Sequence, residues 1–147
     1  MYALDISKKE VGMRLKNFSI LYVEDEKTTQ ELITEILEAS FKEVFVASDG
    51  EEGLSLYKEK RPDIVLSDIA MPNMDGLEMS QFIKDLNPEQ PIALFTAFSQ
   101  SAYLKRAAEI GVATYILKPL EEEQFFNSLN YMAMELEMSR NEVQSKG

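Results

Sequence analysis

The sequence predicts a doubly wound α/β domain, and three observations predict it. Five short apolar runs, FSILYV (18–23), EVFVA (43–47), DIVLS (63–67), PIALFT (91–96) and ATYIL (113–117), each have the length of a buried strand. Amphipathic stretches separate them, and a βαβαβαβαβα order calls for parallel strands joined by crossover helices. Arg61-Pro62, Asn87-Pro88 and Ile110-Gly111 then mark turns where a helix stops before the next strand.

Taken in order, the first strand ends in Glu24-Asp25-Glu26, after which Leu32, Ile33, Ile36 and Leu37 make one helical stripe. The third strand ends in Ser67-Asp68 and is followed by a stripe of Met79, Phe82, Ile83 and Leu86. Phe95-Thr96-Ala97 closes the fourth, before a weaker stripe of Tyr103, Leu104, Ala107 and Ala108. Leu117-Lys118-Pro119 closes the fifth. The last helix carries Phe125, Leu129, Met132 and Leu136 at alternating spacings of four and three, with Val143 on the same seam. The eight Met read as core packing.

A chain of 147 residues, 45% apolar, fits one domain and one site. That domain is placed at 17–138, with 1–16 an N-terminal extension read as a short extra helix used in dimer contacts. Residues 139–147 are a frayed tail or the start of a linker to a coiled coil or output domain. No stretch has the length of a signal peptide's apolar core or of a membrane span, so the expectation is a soluble cytoplasmic protein with no membrane insertion.

Composition excludes much chemistry. Lys plus Arg number 15 against 26 Asp plus Glu, a net charge of −11, which repels phosphate backbones and argues against direct nucleic-acid binding. With no Cys and no His, thiol redox chemistry, Cys-ligated zinc and a histidine base are all ruled out. What remains is oxygen and ammonium chemistry. In doubly wound folds ligands sit outside the carboxyl ends of the strands, and here those ends carry carboxylates, a hydroxyl and an ammonium. Acids crowded at such an edge need a cation or must stay wet.

ILYVEDE, PDIVLSDIAMPNMDG, ALFTA and YILKP, in this order and spacing, resemble the response regulator receiver domain of two-component phosphorelays over roughly residues 18 to 136. The stretch Asp68-x-x-Met-Pro-x-Met-Asp-Gly is the most specific part. The resemblance implies a flavodoxin-like strand order 2-1-3-4-5 with helices on both faces. It makes Asp68 the phosphoacceptor. Asp25, Asp68 and the backbone carbonyl of Ala70 become direct Mg²⁺ ligands, and Glu24 acts through water; Mn²⁺ could substitute. Glu24 stands where the family often has Asp, a small departure for an outer-sphere ligand.

By the same resemblance Lys118 pairs with Asp68 and then with a phosphoryl oxygen, and the Lys118–Pro119 bond is usually cis. Thr96 donates its hydroxyl to another phosphoryl oxygen. Tyr115 is the switch aromatic, turning inward with Thr96 and coupling the chemistry to the helix-4, strand-5, helix-5 face. Ala70 and Phe98 flank the path of attacking water. Ala cannot orient that water and Phe excludes it, so autodephosphorylation is expected to be slow.

Singly, each residue has a plainer reading: Glu24 and Glu26 as solvated loop acids, Thr96 as a cap, Lys118 as a surface charge, Tyr115 as core. Convergence of four strand ends on one crevice overturns those readings. The expected function is a phosphorylation-activated switch, not a turnover enzyme. It takes its phosphoryl group from a sensor histidine kinase or phosphotransfer protein and acts on a downstream protein target, with a homodimer through the helix-4, strand-5, helix-5 face as a further expectation. A receiver portion of a longer regulator, with a DNA-binding, cyclic-nucleotide-synthesising or kinase output domain, is the alternative. A haloacid-dehalogenase-type phosphatase ranks far below, because that chemistry needs a second acid two residues after its nucleophile, where this chain has Ala70.

Overall fold

The sheet order is β2-β1-β3-β4-β5, all strands parallel, with β1 at Ser19–Val23, β2 at Glu43–Ala47, β3 at Ile64–Asp68, β4 at Ile92–Thr96 and β5 at Thr114–Leu117. The computed structural model that gives this order describes residues 13–97 and 102–146, with side chains as far as Asn141. Helices α1 (Lys27–Glu38), α2 (Gly50–Lys60), α3 (Gly76–Leu86), α4 (Ala102–Ile110) and α5 (Glu122–Lys146) return the chain between strands and close it. The doubly wound fold and its strand order are those expected from the sequence.

β1, β3 and β4 are buried along their whole length, which is why they read as unbroken apolar runs. The two-residue period of a strand then divides them between two cores. Ile20, Tyr22, Ile64, Leu66, Phe95 and Ile116 pack with α1 and α5. Leu21, Val23, Val65, Ile92 and Leu94 pack with α2, α3 and α4. Each such side chain, fully buried, adds roughly 1.5–3 kcal/mol relative to exposure.

Helix starts follow from capping. Glu26, Asp49 and Asp75 accept backbone N–H groups at the starts of α1, α2 and α3, and Asp75 with Glu78 forms a reciprocal capping box. Gly111, at φ +102°, ends α4 in a conformation that favours glycine.

Three expected stripes pack differently. Leu32, Phe82, Leu86 and Tyr103 are exposed on the helix surfaces. On α3 the sheet is met instead by Gly76, Leu77, Met79, Ser80 and Ile83. A Cβ on Gly76 would collide with the Asp68 carbonyl oxygen, so the helix approaches β3 through its small residues, and this turns Phe82 and Leu86 outward. Ala107 is buried on α4, but Ala108 is exposed.

The ends also join the packing. Leu15 is fully buried in the α1/α5 core, although it precedes the expected start at 17. Arg14 donates from Nε to Glu137 Oε1 at 3.2 Å and from Nη1 to Asn130 Oδ1 at 2.9 Å. α5 passes residue 138 without a break, and Arg140 Nη2 lies 2.6 Å from Asp63 Oδ1 while its guanidinium sits 5.4 Å from the Phe18 ring centre. The extra-helix expectation for residues 1–12 and the seam position of Val143 lie outside the described residues and side chains.

Candidate functional site

Strand parity and register assemble the site. Glu24 lies two residues beyond Tyr22 and four beyond Ile20, so it continues the line of side chains on the α1/α5 face. Asp68 continues the line of Ile64 and Leu66 on the same face, and its register partner on β4 is Phe95. Lys118 follows Ile116 by two on that face and places its ammonium 5.2 Å from the Phe95 ring centre. Ser67, Thr96 and Tyr115 have the opposite parity and share the α2/α3/α4 side.

The resulting contacts are close. Lys118 Nζ is 3.2 Å from Asp68 Oδ1 and 3.6 Å from Glu24 Oε1. Glu24, Asp25 and Asp68 each offer a carboxylate oxygen, and these oxygens lie within 4.8 Å of one another. Glu24 and Asp68 are buried, at 1% and 7% exposure, while Asp25 opens to solvent. Three carboxylates and one ammonium leave a formal charge of −3 + 1 = −2 at this point. Burial, and next the charge of Asp68, push the Glu24 carboxyl above its usual range against the pull of Lys118 and the Glu26 N–H. An oxygen-rich, charge-surplus pocket with one open side fits a hard divalent cation such as Mg²⁺, which takes one or two carboxylates and keeps several waters.

Glu26 does something else. Its carboxylate accepts from Thr28 N, Thr29 N and the Thr29 hydroxyl, and these bonds, that of the hydroxyl foremost, hold its carboxyl below the ordinary value. It caps α1, so only two of the three consecutive acids face the cluster. Asp68 Oδ1 also accepts from Ile69 N at 2.9 Å. The loop after β3 is pinned to α2 by Gly50 N donating to Met74 O at 2.9 Å and by Asn73 Nδ2 donating to Asp49 Oδ2 at 2.8 Å. Ala70 lies exposed in that loop.

Thr96, 1% exposed, ends β4 one residue past Phe95, and its carbonyl accepts from Lys118 N at 2.7 Å. Lys118–Pro119 is cis. Tyr115 is half-buried, and its hydroxyl donates to Val112 O at 3.0 Å and Leu104 O at 3.3 Å, tying β5 to α4. Thus Glu24, Asp25, Asp68 and Lys118 meet directly. Thr96 stands at the adjoining strand end, Tyr115 faces α4, and Phe98 lies outside the described residues.

Two aromatic residues beneath the cluster escaped the sequence reading as site residues. Phe95 supplies the ring under the Lys118 ammonium, a contact set by the β3–β4 register. Tyr22 is fully buried and donates its hydroxyl to Glu24 Oε1 at 3.3 Å. Burial first, then the Glu24 charge, drives its ionisation far upward, so the phenol stays protonated and acts as a donor. The two-residue offset between Tyr22 and Glu24 was the available signal.

Comparison with known proteins places this geometry. The model of the family described as the response regulator receiver domain matches residues 20–130. The chain is 33% identical over 111 residues to the chemotaxis protein CheY of Halobacterium salinarum, covering 76% of this chain and 92% of that one. It is 32% identical over 134 residues to the uncharacterized transcriptional regulatory protein YesN of Bacillus subtilis, covering 88% of this chain but 35% of that protein. Among solved structures, a CheX-CheY-BeF3-Mg+2 complex from Borrelia burgdorferi aligns with a TM-score of 0.70 and 30% identity, covering 76% of this chain and 86% of the matched chain.

Proposed function

The chain belongs to the response regulator receiver domain family, and from that premise we propose that it is a phosphorylation-activated switch with Asp68 as phosphoacceptor. Receiver domains are signalling domains, not turnover enzymes. They bind Mg²⁺ at an acidic pocket, interact with histidine kinases or phosphotransfer proteins, and can be fused to output domains. The observation that carries the proposal is Lys118 on Asp68 beside the Glu24, Asp25 and Asp68 oxygens, at the carboxyl edge of the sheet.

In this reading an Asp68 carboxylate oxygen attacks the phosphorus of the donor, and the phosphoryl group leaves a phosphohistidine nitrogen of the partner for that oxygen. Asp25, Asp68 and the Ala70 carbonyl would hold Mg²⁺, with Glu24 contributing through water, and the bound ion would supply neutralising charge to phosphoryl oxygens. Lys118 leaves its pairing with the carboxylate for a phosphoryl oxygen, and the Thr96 hydroxyl donates to another. Tyr115 then responds to Thr96, and the α4–β5–α5 face presents the output to a protein target or a second copy. Exposed Tyr103 and Tyr131 on that face, with the shallow depression between β5 and α5 lined by Thr114, Tyr115 and Ser128, suit such contacts. Ala70 and Phe98 make loss of the phosphoryl group slow, so the modified state should outlast seconds by a wide margin without a phosphatase.

No described helix is long and apolar enough to cross a membrane, in keeping with action in the cytoplasm. The net charge of −11 argues against direct nucleic-acid contact. The 35% coverage of YesN, a longer protein, favours a second reading, a receiver portion of a longer regulator. The test is mass spectrometry of the chain after acetyl phosphate and Mg²⁺. Wild type should gain one phosphoryl group mapped to Asp68, and Asp68→Asn none; modification elsewhere, or of both proteins alike, would overturn the assignment.

A further inference from the structure

We propose that Tyr22 is a positioning residue that sets the Glu24 carboxylate toward the metal, through the hydrogen bond from its hydroxyl to Glu24 Oε1. The inference rests on the metal-site reading above and goes beyond it to a residue buried under the site.

The geometry is specific. Tyr22 and Glu24 share a strand face at the shortest same-side spacing, and the phenol ring is fully buried in the α1/α5 core, with Ile20 on one side along the strand and Glu24 on the other. A Phe would fill that place without a polar group to satisfy, whereas a buried hydroxyl needs a partner, and the partner it has among the described residues is Glu24 Oε1 at 3.3 Å. The same oxygen faces Lys118 Nζ at 3.6 Å, and Oε2 accepts from Glu26 N at 3.2 Å. Both oxygens are therefore fixed by donors, and the carboxylate plane is set by three groups from β1, the β1–α1 loop and the β5 end.

The need for this follows from chain length. Glu carries one more rotatable bond than Asp, a staggered torsion that swings the carboxylate through separate positions, added to the broad torsion next to the carboxylate that both share. The phenol beneath restricts the extra freedom. A contact of 3.3 Å is long for a hydroxyl-to-carboxylate bond, so it orients more than it binds, and its removal should weaken metal affinity several-fold without abolishing it.

The test is calorimetric titration of Mg²⁺ into four forms of the full chain: wild type, Tyr22→Phe, Glu24→Asp and the double variant. Tyr22→Phe should raise the Kd about fivefold with Glu present, the effect of losing one modest hydrogen bond. With Asp at position 24 the shorter carboxylate withdraws from the phenol, and Tyr22→Phe should then change nothing. Equal affinities with and without the hydroxyl in the Glu24 background overturn the proposal; so does an equal loss in both backgrounds, which marks a general packing defect. Failure of wild type to bind Mg²⁺ at all removes the metal reading itself and is seen before any variant is made. If Tyr22→Phe does not fold, the wild-type Tyr22 ring carbon signals in NMR decide: they should shift along the Mg²⁺ binding curve, and signals that stay still refute the coupling.

Discussion

β3 is bracketed by two aspartates, five residues apart, that meet opposite conditions. Asp63, just before the strand, accepts from Ser19 N at 2.9 Å, from the Ser19 hydroxyl at 3.2 Å and from Arg140 Nη2 at 2.6 Å. Burial opposes its ionisation, but the Ser19 N–H, followed by Arg140, holds the carboxyl below the ordinary range. Asp68, at the strand's end, shares one ammonium with Glu24 while Asp25 adds a third carboxylate. At the first end the donors match the charge and the result is a clasp that ties α5 to the base of the domain. At the second, negative charge exceeds what the chain supplies, which in the proposed reading leaves the folded state open to a cation and a phosphoryl group. Surplus charge, not burial of an acid as such, separates the proposed phosphoacceptor end of this strand from the structural one.

The contrast can be broken or sharpened by measurement. The largest expected effect is on metal addition: Mg²⁺ at a hundredfold its Kd should stabilise the wild type by about 2.7 kcal/mol. Asp68→Asn should lose most of that gain and Asp63→Asn keep it, as read from thermal melts with and without Mg²⁺; equal gains in all three would erase the distinction. Next in size, Asp63→Asn should cost about 1–2 kcal/mol in urea unfolding near neutral pH, since Ser19 and Arg140 lose a charged acceptor.

The sign with pH follows from the depressed carboxyl. The unfolded chain binds that proton more readily, so the contribution of Asp63 is full above about pH 4–5 and fades as pH falls through the folded value. Wild type should therefore lose more stability than Asp63→Asn on acidification, and parallel curves would refute the clasp. A smaller effect of opposite sign is expected at the other end. Without metal, Asp68→Asn should leave the fold unchanged or raise its stability by about 1 kcal/mol, because it relieves repulsion from Glu24. A clear loss in the metal-free melt would show that Lys118 already balances the site. Smallest is Arg140→Ala, expected below about 1 kcal/mol because the guanidinium is half-exposed and screened, checked by the same unfolding series.

Much of this molecule was legible in its residues, and the gaps share one cause. Apolar run length and Pro/Gly punctuation delimit the strands because these signals act within a few neighbouring residues. The motif stretches around Glu24, Asp68, Thr96 and Lys118 were legible as strand ends for the same reason. The α3 stripe was misread because it is the sheet, through the close approach of Gly76 to Asp68, that chooses which side of a helix is buried. That Glu26, unlike its neighbours Glu24 and Asp25, turns to cap α1 was likewise decided by where that helix starts.

By itself, then, the sequence determined the order of elements, the charge surplus and the chemical groups available at each strand end, all of which are local or compositional. Only the tertiary structure decided that Asp63 and Arg140, 77 residues apart, close the base, that Phe95 lies under Lys118, and that Tyr22 reaches Glu24 from below. Those contacts depend on inter-strand register and helix docking, which are set by the shape of the whole packed core.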